Sequence, residues 1–182
     1  MKKILISLIA VFLITGCGCS MTSSTPTAKV EEYLKKYQTL DDGVLDQLKD
    51  VIDEDDLSDD NKTSYEELIK KQYQDLSYTI KDETIDGDSA TVEAEIEVYD
   101  YQSIIDESDK YLEEHEKEFY KDDEDVVDND KYMAYKVENL KDVKEKTKYT
   151  IYFTLNKDSN GKWKLNDLSE VDRLKLHGLY SE

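Results

Sequence analysis

A switch of hydrophobic period at Tyr78, from helical spacing to strict alternation, predicts an α+β domain with N-terminal helices packed on an antiparallel sheet. Two further observations agree. A second alternating stretch, residues 149–155, is followed by a turn and a return strand, and the segment between the two strand pairs reverts to helical spacing.

The chain of 182 residues opens with Met1, Lys2 and Lys3, an apolar run over residues 4–14, and Thr15-Gly16-Cys17. A basic start, a short apolar core and small residues before a break have the layout of an export signal. The run is too short to span a bilayer, which takes about 20 apolar residues. Leu13-Ile14-Thr15-Gly16-Cys17 resembles a bacterial lipobox, and the resemblance implies diacylglycerol on the Cys17 sulfur and cleavage after Gly16. An ordinary secretion signal with an incidental cysteine is the alternative. The expected organisation is a lipoprotein signal peptide at 1–16, a lipidated cysteine with a flexible tether at 17–26, and one α+β domain at 27–182.

The net charge is −20, and loss of Lys2 and Lys3 with the leader takes it to about −22. Lipidation of Cys17 leaves Cys19 as the one thiol, so no disulfide framework is expected and stability rests on burial. So acidic a chain leans toward disorder by composition alone. Its 14 tyrosines and ordered apolar periodicity argue for a core, because a core needs positions rather than totals.

Along the domain, Pro26 suits a first helical turn capped by Ser24 or Thr25, with Val30, Tyr33, Leu34 and Tyr37 at helical spacing. Val44, Leu45, Leu48 and Val51 suggest a second helix, broken by the acidic residues 53–61. Tyr65, Leu68, Ile69, Gln72 and Leu76 share one face of a third. Tyr78 and Ile80 then lead through Asp86-Gly87-Asp88 to Ala90, Val92, Ala94, Ile96 and Val98, a hairpin with one buried face. A three-residue loop sets Ile80 against Ala94, Tyr78 against Ile96 and Lys81 against Glu93; a two-residue loop sets Ile80 against Glu93. Ile104, Ile105, Tyr111, Leu112, His115 and Phe119 mark a fourth helix, and Met133, Val137 and Leu140 a fifth. After the strand of Tyr149, Ile151, Phe153 and Leu155 come a turn and the strand of Trp163 and Leu165. Ser169, with Asp172 three residues on, caps a last helical turn that ends at Gly178.

This order of elements, closing on Gly161-Lys162-Trp163-Lys164-Leu165, resembles an NTF2-like (cystatin-like) domain of the kind found in uncharacterised Gram-positive lipoproteins. The resemblance covers residues 25–180 without a diagnostic motif. It implies helices on the concave face of a curved antiparallel sheet, an arrangement that can leave a conical pocket between them. A different α+β domain with the same two hairpins fits the pattern as well. Such folds host isomerases, hydrolases, carriers and structural modules, so the fold alone assigns no activity.

No catalytic set is visible. His115, between Glu114 and Glu116, reads as a half-buried structural histidine. His177, beside Gly178, lies at a helix end where an imidazolium favours the dipole. Neither histidine has a zinc-ligand spacing to another His or Cys. Asp56, Ser58, Asp60 and Glu67 fall at oxygen-ligand positions of an EF-hand loop, but Asn61 stands where Gly is required and Thr63 where an apolar residue belongs. They are weak metal candidates, and no metal or cofactor is expected. Residues 156–167 give a poorer partial match that straddles a hairpin. Tyr33, Tyr37, Tyr65 and Tyr111 read as core-edge rings, leaving Tyr99, Tyr101, Tyr120, Tyr132 and Tyr135 for exposed contact. No basic patch exists to bind nucleic acid. The expectation is a non-enzymatic binding or scaffolding module on the extracytoplasmic face of the cell membrane. Its partners are the membrane through the lipid and basic proteins or cations through the acidic surface. The alternative is a small-molecule binder or enzyme using the pocket. Solute capture for a transporter fits poorly, since that usually takes two lobes around a cleft.

Overall fold

A computed structural model describes residues 25–54, 57–121 and 125–180; Cys17, the leader, most of the tether and Asp56 lie outside them. Three helices come first: α1 (Pro26–Gln38), α2 (Asp42–Glu54) and α3 (Asp59–Gln74). Thr25 caps α1 by accepting from Ala28 N at 3.2 Å, with Pro26 in the first turn. The Glu83 carboxylate, reaching over from the sheet, accepts from Thr27 N and Thr27 Oγ at 2.8 and 2.7 Å. Val30, Leu34 and Tyr37 of α1 are buried, as are Leu68, Ile69, Gln72 and Tyr73 of α3.

The hairpin joins β1 (Ser77–Asp86) to β2 (Ser89–Tyr99). Ile80 pairs with Ala94 and Tyr78 with Ile96, as the apolar alternation requires. The loop, however, has two residues, Gly87 and Asp88, and the register is restored by a bulge between Ile80 and Asp82. One extra residue in the strand and one fewer in the turn give the same pairing at the base. The expected Lys81–Glu93 pair is therefore replaced by Asp82 opposite Glu93. Lys81 turns instead to Glu95 at 3.4 Å, where Lys148 joins at 3.3 Å. Glu95 is buried between them on the face away from the helices.

After Asp100 come α4 (Tyr101–His115), a 3-10 turn over Glu116–Phe119, and α5 (Asn129–Lys141). The sheet is completed by β3 (Lys146–Lys157) and β4 (Trp163–Leu165), in the antiparallel order β1-β2-β3-β4. Val92, Ala94, Ile96 and Val98 of β2 share their face with Tyr149, Ile151, Phe153 and Leu155 of β3, all buried beneath the helices. The last helix, α6 (Glu170–His177), is capped by Ser169, which accepts from Asp172 N at 3.1 Å. Gly178 ends it in the left-handed region at φ 71°. The architecture is the expected α+β one, with helices on one face of an open antiparallel sheet. No helix among the described residues is long and apolar enough to cross a membrane.

Gln72 links the layers. It is fully buried; its Oε1 accepts from Tyr99 N at 2.9 Å and its Nε2 donates to Tyr99 O at 3.4 Å. One side-chain amide thus replaces the neighbouring strand that the end of β2 lacks. Just beyond, the chain turns at Asp100 and drives Tyr101 under α3, where it is 1% exposed and its hydroxyl donates to Leu68 O at 3.3 Å. Tyr101 is thus a core residue, and its expected role in exposed contact is corrected. Tyr132 and Tyr135 are half-buried in a ring cluster with Tyr111 and Phe119 between α4 and α5. The exposed tyrosine is Tyr152, on the outer face of β3.

Candidate functional site

On the helix-facing side of the sheet, aromatic rings pack closely among the described residues. Phe153 is fully buried there with the Tyr33 ring on its edge at 6.1 Å, and Tyr37 meets Tyr73 edge-on at 4.9 Å. These rings pack where such folds can leave a conical pocket. The opening lies instead among the helices, a half-open cleft of about 530 Å³ walled by α1, α2, α3 and α6. Its volume is within the usual range for small-molecule sites. Val44, Leu48, Ile69, Leu174 and Leu179 make its apolar wall, with Tyr37, Tyr65 and Tyr73 adding rings.

Local sequence explains the shape. The apolar stripe of α2 packs on α3, while α6, short and capped at both ends, packs on α3 and β2. Arg173 and His177 lie one helical turn apart on α6, and both line the cleft.

His177 departs from the charged helix-end residue expected. Burial, then the neighbouring Arg173 guanidinium, bring its pKa down to about 4, so the ring is neutral at neutral pH. Loss of ring solvation outweighs the helix dipole. Its Nδ1 lies 2.9 Å from the Tyr73 hydroxyl, whose own pKa is pushed up by burial. The two atoms share one hydrogen bond, whose donor is set by the imidazole tautomer. Nε2 has no protein partner among the described residues and is not sealed off.

Arg173 is the single arginine among 24 basic residues. Its side chain is exposed at the rim and makes no ion pair or hydrogen bond with a described residue. Asp50 and Glu170 lie on the same rim, both exposed. Arg173 and Tyr73 were not singled out from the sequence. The lone guanidinium in a lysine-rich chain was the signal available for the first; Tyr73 had none, since its role depends on a residue 104 positions away.

The EF-hand spacing dissolves in the fold. α3 starts at Asp59, so Asp60 and Glu67 are exposed helical residues about 10 Å apart along the axis, too far to share an ion. Ser58 N donates to Asp130 Oδ1 at 2.8 Å and Asn61 Nδ2 to the same oxygen at 2.9 Å, tying the helix start to α5. Those bonds, the Ser58 amide first, hold the Asp130 carboxyl below its usual range. Among the described residues no three His, Cys, Asp or Glu side chains are grouped to hold a metal. Asp158, in the poorer match, braces its own turn by accepting from Asn160 N and Lys162 N at 2.8 and 3.0 Å. His115 stacks on Tyr111 with centroids 4.1 Å apart and donates from Nδ1 to Tyr111 O at 3.1 Å, away from the cleft.

No protein-family model matches the chain, and no curated protein matches it. Among solved structures it is similar to the crystal structure of a lipoprotein candidate, ycdA of Bacillus subtilis, at 18% identity and a TM-score of 0.43. The match covers 83% of this chain and 46% of that one, so the chain spans less than half the length of that protein.

Proposed function

We propose that this chain is a lipid-anchored extracytoplasmic binding protein that holds a small, largely apolar molecule in the cleft between α2, α3 and α6. The cleft of about 530 Å³ carries this reading, because a stable domain gains nothing from leaving apolar walls apart unless something enters. Binding rather than turnover is supported by the state of its titratable pair. His177 at about 4 is a poor base near neutrality, and Tyr73 holds its proton more tightly than an ordinary phenol. The order of elements supports an NTF2-like frame whose sheet pocket has been closed by aromatic rings. The net charge of −20 supports basic proteins or cations as secondary partners of the outer surface.

Two expected results test the proposal. In the full chain carrying Cys17→Ser, which cannot be lipidated, calorimetric titration with 1-decanol gives saturable one-to-one binding. Leu174→Trp, which fills the cleft from a half-buried wall position, weakens it at least tenfold. Decanol that fails to bind, or binds Leu174→Trp equally well, overturns the pocket. For the anchor, cells grown with an alkyne fatty acid label the wild type in the membrane fraction, while Cys17→Ser is unlabelled and released. Equal labelling of the two would remove the lipid from the account.

A further inference from the structure

We infer that the cleft selects apolar molecules ending in a carboxylate, held by the Arg173 guanidinium. The inference rests on the cleft being a binding site and assigns the chemistry of what enters it. Three observations converge. The walls are apolar and aromatic, so the body of the ligand is apolar. Of the polar groups that α6 brings to the cleft, Arg173 is the one cation, with the Glu170 carboxylate one turn before it on the rim and the His177 ring, bonded to Tyr73 through Nδ1, one turn after it. And the chain, which elsewhere uses lysine for every one of its cations, places its one arginine here.

The third point has a physical basis. Ammonium groups on this surface are readily neutralised; Lys175, on the same helix, is already engaged with Thr150 O at 3.1 Å and Asp172 at 3.4 Å. A guanidinium is planar, permanently charged and weakly hydrated, and it meets a carboxylate with two parallel hydrogen bonds. Arg173 spends none of these donors on the described protein groups, although Glu170 lies one turn before it and Asp50 faces the same opening. The two rim carboxylates and the overall charge of −20 oppose any anion, so recognition depends on close contact with Arg173 rather than on the long-range field.

The test compares three ten-carbon probes that differ only at the head: decanoate, 1-decanol and decylamine, each titrated below its micelle concentration into the full chain carrying Cys17→Ser. Wild type binds decanoate at least tenfold tighter than decanol, and decylamine weakest. Arg173→Met lowers decanoate affinity at least tenfold and abolishes the preference over decanol, with saturable one-to-one decanol binding retained as the sign of an intact cleft; Arg173→Lys keeps part of the preference. The preference also fades as pH falls below about 4–5, where the probe's own carboxylate takes up a proton while the guanidinium stays charged. Decanoate binding no tighter than decanol, decylamine binding tightest, or a preference that survives in Arg173→Met each overturns the head-group assignment while leaving the cleft in place. If decanol and decanoate both fail to bind and light scattering finds a dimer, the cleft seats a second copy, and the inference falls with the reading beneath it.

Discussion

Replacing Gly178 with Ala is expected to destabilise the domain by about 3–5 kcal/mol, the largest effect of any single methyl in this chain. Two costs add. At φ 71° an L side chain occupies the left-handed region, worth about 1–2 kcal/mol. A Cβ there would also collide with the carbonyl oxygen of Tyr99 and with Nε2 of Gln72. Neither obstacle yields cheaply. The carbonyl belongs to the end of β2, and Gln72 is the fully buried amide that serves Tyr99 at both N and O. Displacing it leaves buried backbone groups unpaired. The close approach is also used from the other side, since Gly178 O accepts from Gln102 N at 3.0 Å, and Leu179 N closes the helix end on Leu174 O at 2.9 Å. Thermal unfolding should fall by roughly 10 °C. Gly87→Ala is the control: its φ is 60°, but its Cβ would meet nothing within 4 Å, so only the conformational cost applies. Equal losses in the two variants would show that the packing of α6 against β2 is not what this glycine permits.

Acid should weaken the domain through His177, by up to about 3 kcal/mol between neutrality and pH 4. The sign follows from the direction of the shift. The ring titrates at about 4 in the folded state against 6.5 for an ordinary histidine, so between these values the unfolded chain takes up a proton that the folded one refuses. Stability from this residue is complete above pH 6.5 and is lost progressively toward pH 4. A second effect runs the other way. At −20, partial protonation of the carboxylates relieves self-repulsion on acidification. The clean measurement is therefore a difference. Urea unfolding of wild type and His177→Gln at pH 7 and pH 4 should show wild type losing about 2–3 kcal/mol relative to the variant. A gap that does not change with pH would mean that the ring titrates alike in the folded and unfolded chain, and that burial beside Tyr73 does not hold it neutral.

Both predictions concern the junction of α6 with the rest of the fold, where legibility from sequence was most uneven. The cap at Ser169, the stop at Gly178 and the Thr25-Pro26 opening of α1 could all be read directly, because caps are short-range chemistry between residues a few positions apart. The buried face of α3, Gln72 included, was likewise visible in its spacing. What Gln72 does was not, since its partner is Tyr99, 27 positions on. The hairpin shows the boundary sharply. Its apolar pairing was readable because alternation admits one register, yet a three-residue loop and a two-residue loop with a bulge at Lys81 give identical pairing at the base. The EF-hand spacing of the weak candidates Ser58, Asp60 and Glu67 could not be judged in sequence for the converse reason. A string of oxygen ligands binds only if the backbone loops around the ion, and from Asp59 the backbone is helical.

From sequence alone, then, came the α+β class, the order of elements, the start of α1, both ends of α6 and the expectation of an export signal with a lipidated Cys17. All of these are written in local pattern, because helix and strand periods, caps and signal segments involve neighbours in the chain. The tertiary structure alone decided that Tyr101 is core, that aromatic rings close the sheet's inner face, and that the cleft opens between α2, α3 and α6. It also decided that His177 is neutral with Arg173 unpaired beside it. Volume, desolvation and charge pairing are properties of what lies across space, and residues more than a hundred positions apart, such as Tyr73 and His177, meet only when the chain has folded.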